Sequence, residues 1–275
     1  MVSKEIIENF PYKKPRKEQL ELIDKIYEAF ESYDYVVLEA GTGIGKSGIA
    51  ATLAKIYNSA YILTMTKQLQ KQYFHDFRFP IVKGRNNFKC KINKNLTCDE
   101  GPCRILKLNC PHDPLDKKEL DNLKSELNTS DAKKIQMYMD GDICDYRKQV
   151  YIGYISNITI LNYQYAIMAF NYTRFFDKRY LMVFDEAHNI EDIVMKHVSY
   201  TLNNQLLYKD IGERLPNYKN LEKWIDYIAY ILEKYKKRLK KLKKQIKNNQ
   251  NDELLRKTVR MEKRIKKLEI LNKNH

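Results

Sequence analysis

Apolar residues recur at helical spacing through Leu20, Ile23, Tyr27 and Phe30, which predicts a helix over residues 16–30. A β-rich run, Tyr35-Val36-Val37-Leu38-Glu39, follows and ends directly at three closely spaced glycines. Lys46–Tyr57 reads as the next helix, and a second strand, Ala60–Thr64, precedes a second helix over residues 67–76. Alternation of this kind predicts a parallel sheet covered on both faces. Over residues 83–148 the pattern breaks into a polar, Asn/Lys-rich stretch with turn signals at Gly84, Gly101-Pro102, Pro111 and Pro114. Strand character returns at Ile158-Thr159-Ile160-Leu161 and at Tyr180-Leu181-Met182-Val183-Phe184, so the broken stretch reads as an insertion into one α/β domain. Beyond Asn189 there are two apolar seams: Leu232, Tyr235, Leu239, Leu242 and Ile246, then Leu254, Leu255, Met261, Ile265 and Leu268. With residues 248–252 between them they predict a helical hairpin.

Composition narrows the class. A chain of 275 residues has room for about two domains, and a hydrophobic content of 43% supplies a real core. No stretch reaches the roughly 18 uninterrupted apolar residues of a membrane span. Met1-Val2-Ser3-Lys4-Glu5 lacks the apolar region of a secretory signal. The expected location is therefore the cytoplasm (nucleoid-associated, or nuclear in a eukaryote), where clustered cysteines bind metal more often than they form disulfides. Net charge is +15, and it is concentrated: residues 233–275 hold 17 Lys/Arg against 5 Asp/Glu, leaving only +3 for the other 232 residues. Basicity belongs to the hairpin.

Chemistry enters at Ala40-Gly41-Thr42-Gly43-Ile44-Gly45-Lys46-Ser47. Glycines at 41, 43 and 45 let backbone N–H groups approach phosphate oxygens, and the following helix adds the positive end of its dipole. In this context Lys46 reaches the outer phosphates of ATP and the Ser47 hydroxyl is a Mg²⁺ ligand. A matching acidic box, Asp185-Glu186-Ala187-His188, leaves the last apolar strand at the sheet's carboxyl edge. There Asp185 is placed to hold Mg²⁺ and Glu186 to activate the attacking water. An ordinary glycine-rich turn and a solvated helix start are the bland readings, and the strand–loop–helix context disfavours both.

All five cysteines fall inside the insertion. From Cys90 to Cys103, Cys110 and Cys144 the steps are 13, 7 and 34 residues, so none forms the tight knuckle usual in structural zinc sites. Adding Cys98 supplies a single C-x₄-C. Spacing favours an iron–sulfur cluster, with zinc and unliganded thiols left open.

At this point the chain resembles a known family. Lys83-Gly84-Arg85-Asn86-Asn87-Phe88-Lys89-Cys90 is similar to the entry of the iron–sulfur domain in XPD/DinG-type superfamily 2 DNA helicases, enzymes associated with DNA repair. Cys144-Asp145-Tyr146 resembles the segment that closes that domain, and Asn162-Tyr163 the pair that follows it. Ala40 at the first loop position is typical of superfamily 2. Arg16 and Gln19 resemble the adenine-reading Q-motif, and residues 64–72 resemble motif Ia, which touches the DNA backbone. The resemblance implies an α/β, RecA-like P-loop domain with a parallel sheet, an inserted iron–sulfur domain and a helical, arch-like segment. Its boundaries fall at 1–83 and 150–195 for the motor domain, 84–149 for the insertion and 196–275 for the partial arch. It implies Cys90, Cys103, Cys110 and Cys144 as ligands of a 4Fe–4S cluster, with Cys98 surplus or exchanged with Cys103. It further implies His188 as a coupling residue and 5′ to 3′ movement on single-stranded or forked DNA.

Nothing after His188 supplies the second motor domain, with its motifs III to VI and arginine finger. Arginine fingers contribute about 10³–10⁵ in rate in related nucleotide hydrolases. The chain alone is thus expected to bind ATP and DNA and to hydrolyse and unwind poorly, unless a second chain supplies that half. Two other readings stay open: a nucleic-acid-binding module without turnover, and a zinc-stapled NTPase.

Overall fold

The computed structural model describes residues 2–139, 141–173, 175–249 and 251–273. Its contacts divide the chain into two compact units, Met1–Lys83 with Pro114–Asn189, and Gly84–Asp113 with Ile190–His275.

The first unit begins with α1 (Val2–Asn9), α2 (Lys17–Ala29) and α3 (Lys46–Tyr57), then β1 (Ala60–Thr64), α4 (Lys67–Phe77) and β2 (Ile81–Val82). After the excursion into the second unit come α6 (Lys117–Leu127), α7 (Ala132–Gln136), α8 (Asp145–Ile155), β3 (Ile158–Asn162), α9 (Tyr163–Met168) and β4 (Leu181–Phe184). The four strands form a parallel sheet in the order β2-β3-β1-β4. One face of β1 and β3 (Ala60, Ile62, Ile158, Ile160) joins a core with Ile23, Ile49, Leu53, Tyr73 and Phe77 from α2, α3 and α4. On the other face, Tyr61, Leu63 and Leu161 are equally buried, on the side of α8 and α9. Residues 114–155 thus belong to the sheet unit because α8 carries Val150, Tyr151, Tyr154 and Ile155, all buried.

Two expectations are modified. Tyr35 to Glu39 pairs with no strand, although its side chains alternate as a strand's would: Val36 and Leu38 pack on the core while Tyr35 and Val37 are 89% and 92% exposed. Likewise β4 packs Leu181 and Val183 inward but leaves Met182 and Phe184 exposed. A period of two decides which side chains face the core; it does not decide the ladder partner or whether the opposite face is covered.

Arg179, two residues before β4, fixes the level of the strands. Its Nη1 donates to Ala60 O (2.7 Å), Asn157 O (3.0 Å) and Thr159 Oγ1 (3.0 Å), and its Nη2 to Gly153 O (3.1 Å) and Ser156 O (2.6 Å). The guanidinium lies 4.1 Å from the centre of the Tyr61 ring, whose hydroxyl donates to Asp177 O. Burial pushes the Arg179 guanidinium down to about 10, so it stays charged at neutral pH.

In the second unit, α5 (Pro102–Ile105), α10 (Ile190–Val198) and α11 (Asn204–Ile211) accompany a long hairpin of α12 (Leu221–Asn248) and α13 (Asp252–Lys273). Both seams anticipated for the hairpin lie on these helices, and Leu232, Tyr235, Leu242, Met261, Ile265 and Leu268 are buried between them and α11. Residues 84–113 pack near the hairpin's turn, where Cys90, Leu96 and Ile105 meet Ile246, Leu255 and Val259.

Replacing Arg179 by Met would remove its N–H groups from four backbone carbonyls, of which Asn157 O keeps Ala60 N and Gly153 O keeps Thr159 Oγ1. The expected cost is on the order of 3–5 kcal/mol of unfolding free energy, read by chemical denaturation. Arg179→Lys should recover only part of it, because one ammonium offers three donors where the guanidinium offers five in a planar fork.

Candidate functional site

The phosphate loop is tied to the start of α2 by two hydrogen bonds, and a third orients the residues that make them. Gln19 Nε2 donates to Ile44 O (2.7 Å), Arg16 Nη1 donates to Gly43 O (3.1 Å), and Arg16 N donates back to Gln19 Oε1 (2.9 Å). Gln19 is buried, so its amide is held in one place. Gly43 and Gly45 have φ of +88° and +87°, in the left-handed region that glycine adopts without penalty. Gly45 is also required for space, since a Cβ there would lie 2.4 Å from Gln19 Nε2. Lys46 Nζ donates to Ala40 O (2.9 Å) and contacts Gly41 O (3.4 Å), which lays the ammonium along the loop. Gly45 caps α3, so Lys46 and Ser47 open that helix at its positive end. Arg16, Gln19, Ala40, Gly41, Thr42, Gly43, Ile44, Gly45, Lys46 and Ser47 therefore form one contiguous structure.

The acidic box is delivered by strand register. Leu63 of β1 pairs with Phe184 of β4 and with Leu161 of β3, and Asp185 N continues the ladder to Leu63 O (2.9 Å). Tyr163, one residue past β3, donates from its hydroxyl to Asp185 O (2.8 Å), and its ring stacks on Phe184. Asn162 caps α9 through Tyr165 N (2.7 Å). The Asn-Tyr pair thus has a physical role: one residue turns the chain and the other steadies the acidic box. The Asp185 Oδ2 atom is buried and accepts no hydrogen bond of ordinary geometry. Burial pushes the Asp185 carboxyl up, and the neighbouring Glu186 adds to this, while Tyr73 and Lys46 oppose it. A buried carboxylate oxygen without a donor fits a small hard cation that prefers oxygen ligands. Glu186 sits at φ +57°, uncommon for a residue with a side chain, and its carboxylate is 3.4 Å from His188 Nδ1. His188 is exposed and its Nε2 lies 2.8 Å from Asn189 Nδ2.

Residues 12–222 match the family described as "Type III restriction enzyme, res subunit", a span that takes in the phosphate loop, the acidic box and all five cysteines. The chain belongs to this family. A probable ATP-dependent helicase of Methanocaldococcus jannaschii is 27% identical over 255 residues, which cover 84% of this chain and 38% of the relative. The ATP-dependent DNA helicase YoaA of Haemophilus influenzae is 24% identical over 247 residues, covering 76% of this chain and 38% of that one. The chain spans well under half the length of these relatives. No solved structure matches.

No disulfide joins the cysteines. Cys90, Cys98, Cys103 and Cys110 belong to the second unit, while Cys144 caps α8 in the first. Burial, then the adjacent Cys110 and Cys90 sulfurs, push the Cys103 thiol up to about 11, with Arg85 opposing. Three sulfurs are therefore neighbours. Cys98 is turned differently, its Sγ 3.2 Å from Lys89 O. Gly101 gives Cys90 its room, since a Cβ there would sit 3.0 Å from Cys90 Sγ. Among the described residues no group of three or more His, Cys, Asp or Glu side chains could hold a metal ion.

On the hairpin, Lys236, Lys240, Lys243, Lys244 and Lys247 line an open groove around Leu239. No helix is long and apolar enough to cross a membrane.

The Asp185 carboxyl is raised on folding, so its contribution to stability is present below its ordinary value near 3.8 and is lost as pH rises through the folded value. Asp185→Asn, which fixes the neutral form, should therefore raise the thermal midpoint of the metal-free protein at neutral pH. That gain should disappear in strong acid. Calorimetric scans of both proteins from acid to neutral pH read the difference directly.

Proposed function

We propose that this chain is the nucleotide-binding motor half of an ATP-dependent DNA helicase. The observation that carries the reading is the Arg16–Gln19 clamp on the phosphate loop, with Asp185 brought by strand register to the carboxyl edge of the sheet. Membership of the family and the helicase names of both relatives support it. The loop N–H groups and the start of α3 bind the phosphates of ATP, and Lys46 neutralises charge developing on them. Ser47 and Asp185 hold Mg²⁺, which screens the same phosphates. Glu186 accepts the proton of the attacking water, and its contact with His188 offers a route by which nucleotide state reaches the exposed surface. Arg16 and Gln19 read the adenine edge. In this reading a second motor domain completes the catalytic centre, and movement is 5′ to 3′.

Cys90, Cys103, Cys110 and Cys144 hold a 4Fe–4S cluster in this proposal, which would staple a polar segment that has little core of its own. Cys98, already directed at a backbone carbonyl, is the surplus thiol. Burial first, then the neighbouring sulfurs, raises the Cys103 thiol, and a metal bound there would hold it as the thiolate. Single-stranded or forked DNA is the partner, and the lysine groove on α12 is a candidate phosphate track.

Equilibrium binding of a fluorescent ATP analogue tests the first part. The 275-residue chain should bind it with Mg²⁺ and lose about tenfold or more in affinity on Lys46→Ala. Hydrolysis should remain slow even with single-stranded DNA, and a robust DNA-stimulated ATPase from this chain alone would overturn the division of labour. For the cluster, anaerobically purified protein should be brown, with visible absorption that bleaches in air. Cys→Ser at 90, 103, 110 or 144 should abolish the colour and Cys98→Ser should keep it. Colourless protein containing stoichiometric zinc would replace the iron–sulfur assignment.

A further inference from the structure

Four buried side-chain polar atoms among the described residues make no hydrogen bond of ordinary geometry. They are both amide atoms of Gln70, the Tyr73 hydroxyl and Asp185 Oδ2. Native interiors rarely leave such atoms unpaired, so each calls for an explanation. Asp185 has one in the metal it is proposed to hold. Tyr73 does not, and nothing in the nucleotide chemistry described above uses it.

Tyr73 is held firmly. It is 1% exposed, its ring meets Phe77 edge-on at 5.6 Å, and its helix is capped by Thr66 accepting from Leu69 N. The hydroxyl therefore has a set position, and the groups around it are Ser47, Asp185 and Tyr12. Two of these three are the oxygen donors assigned to Mg²⁺. An apolar residue would fill this face of α4 as well, without carrying a polar atom into the core. A phenol brings one rotatable O–H on a ring that packing already immobilises, which is the kind of donor that orients a metal-binding carboxylate.

We infer that Tyr73 is a positioning residue for the metal site, its hydroxyl donating to the Asp185 carboxylate so that one oxygen is turned toward Ser47 and the cation. The inference rests on the Mg·ATP reading above and names a residue that reading does not need.

The test is Tyr73→Phe in the full chain, which keeps the ring and deletes only the hydroxyl. Three quantities are measured: the thermal midpoint without metal or nucleotide, the affinity for ATP in chelator, and the Mg²⁺ concentration that half-saturates metal-dependent ATP binding. A merely buried, unpartnered hydroxyl should be dispensable, leaving all three unchanged or the midpoint raised. The positioning role instead leaves the first two unchanged and raises the half-saturating Mg²⁺ about 10–100-fold. An unchanged Mg²⁺ requirement overturns it. Should Tyr73→Phe lower the midpoint, Tyr73→4-aminophenylalanine decides, because it restores a donor on the same ring. Recovery of Mg²⁺ affinity supports the role, and failure to recover sinks it. If the unaltered chain shows no Mg²⁺-dependent nucleotide binding, the proposed function itself falls and takes the Tyr73 role with it.

Discussion

The Arg179 guanidinium is the constraint on which the sheet unit depends. Its five hydrogen bonds gather the start of β1, the residue before β3 and the end of α8, while its own chain runs on into β4. Strands held level at their amino ends finish level at their carboxyl ends. Thr64, Asn162 and Asp185 consequently leave the sheet side by side. Asp185 and Glu186 leave from that edge, while the phosphate loop is held from the start of α2. Burying an arginine is costly unless its donors are used, and here the N–H groups of both Nη atoms meet five acceptors, with an aromatic face beneath. One cation thus gathers carbonyls around the ends of α8 and β1 and aligns the strands.

Much of this was legible in the sequence, and the reasons differ by element. Lys46–Tyr57 and Ala60–Thr64 appear with the boundaries the pattern predicts, because a glycine-rich turn and a β-branched run punctuate the chain sharply. The phosphate loop needed no fold to be found. Gln19 was visible as a motif residue, but the structure adds that its amide also shapes the loop, through Ile44 O and through the space that Gly45 leaves. Tyr35 to Glu39 shows the opposite case. Its alternation correctly separates Val36 and Leu38 from Tyr35 and Val37, yet carries no information about a hydrogen-bonding neighbour.

Arg179 and Tyr73 were illegible for another reason. A single arginine in a polar turn and a single tyrosine on a helix look like a surface charge and a core aromatic. Their importance arises from what converges on them across the chain: carbonyls from three elements in one case, Ser47 and Asp185 in the other. Glu186 belongs with them, since nothing in Asp-Glu-Ala-His announces a left-handed backbone at its second position. Side chains whose partners lie 20 to 119 residues away leave no local pattern.

Charge on the hairpin also divides once the fold is known. Sequence alone presents residues 233–275 as uniformly basic, whereas the structure sets its cations two tasks. Lys243 and Arg104 share Glu262, and Lys263 and Arg104 share Asp99, so cations and anions lock residues 84–113 against α13. These pairs are partly buried, and they hold a segment whose apolar contribution is small, Cys90, Leu96 and Ile105. Lys240, Lys244 and Lys247 stand around Leu239 and make no ion pair among the described residues. Exposed lysines in a row repel one another. Thus α13 staples the cysteine segment with one set of charges, while α12 presents another in an exposed row.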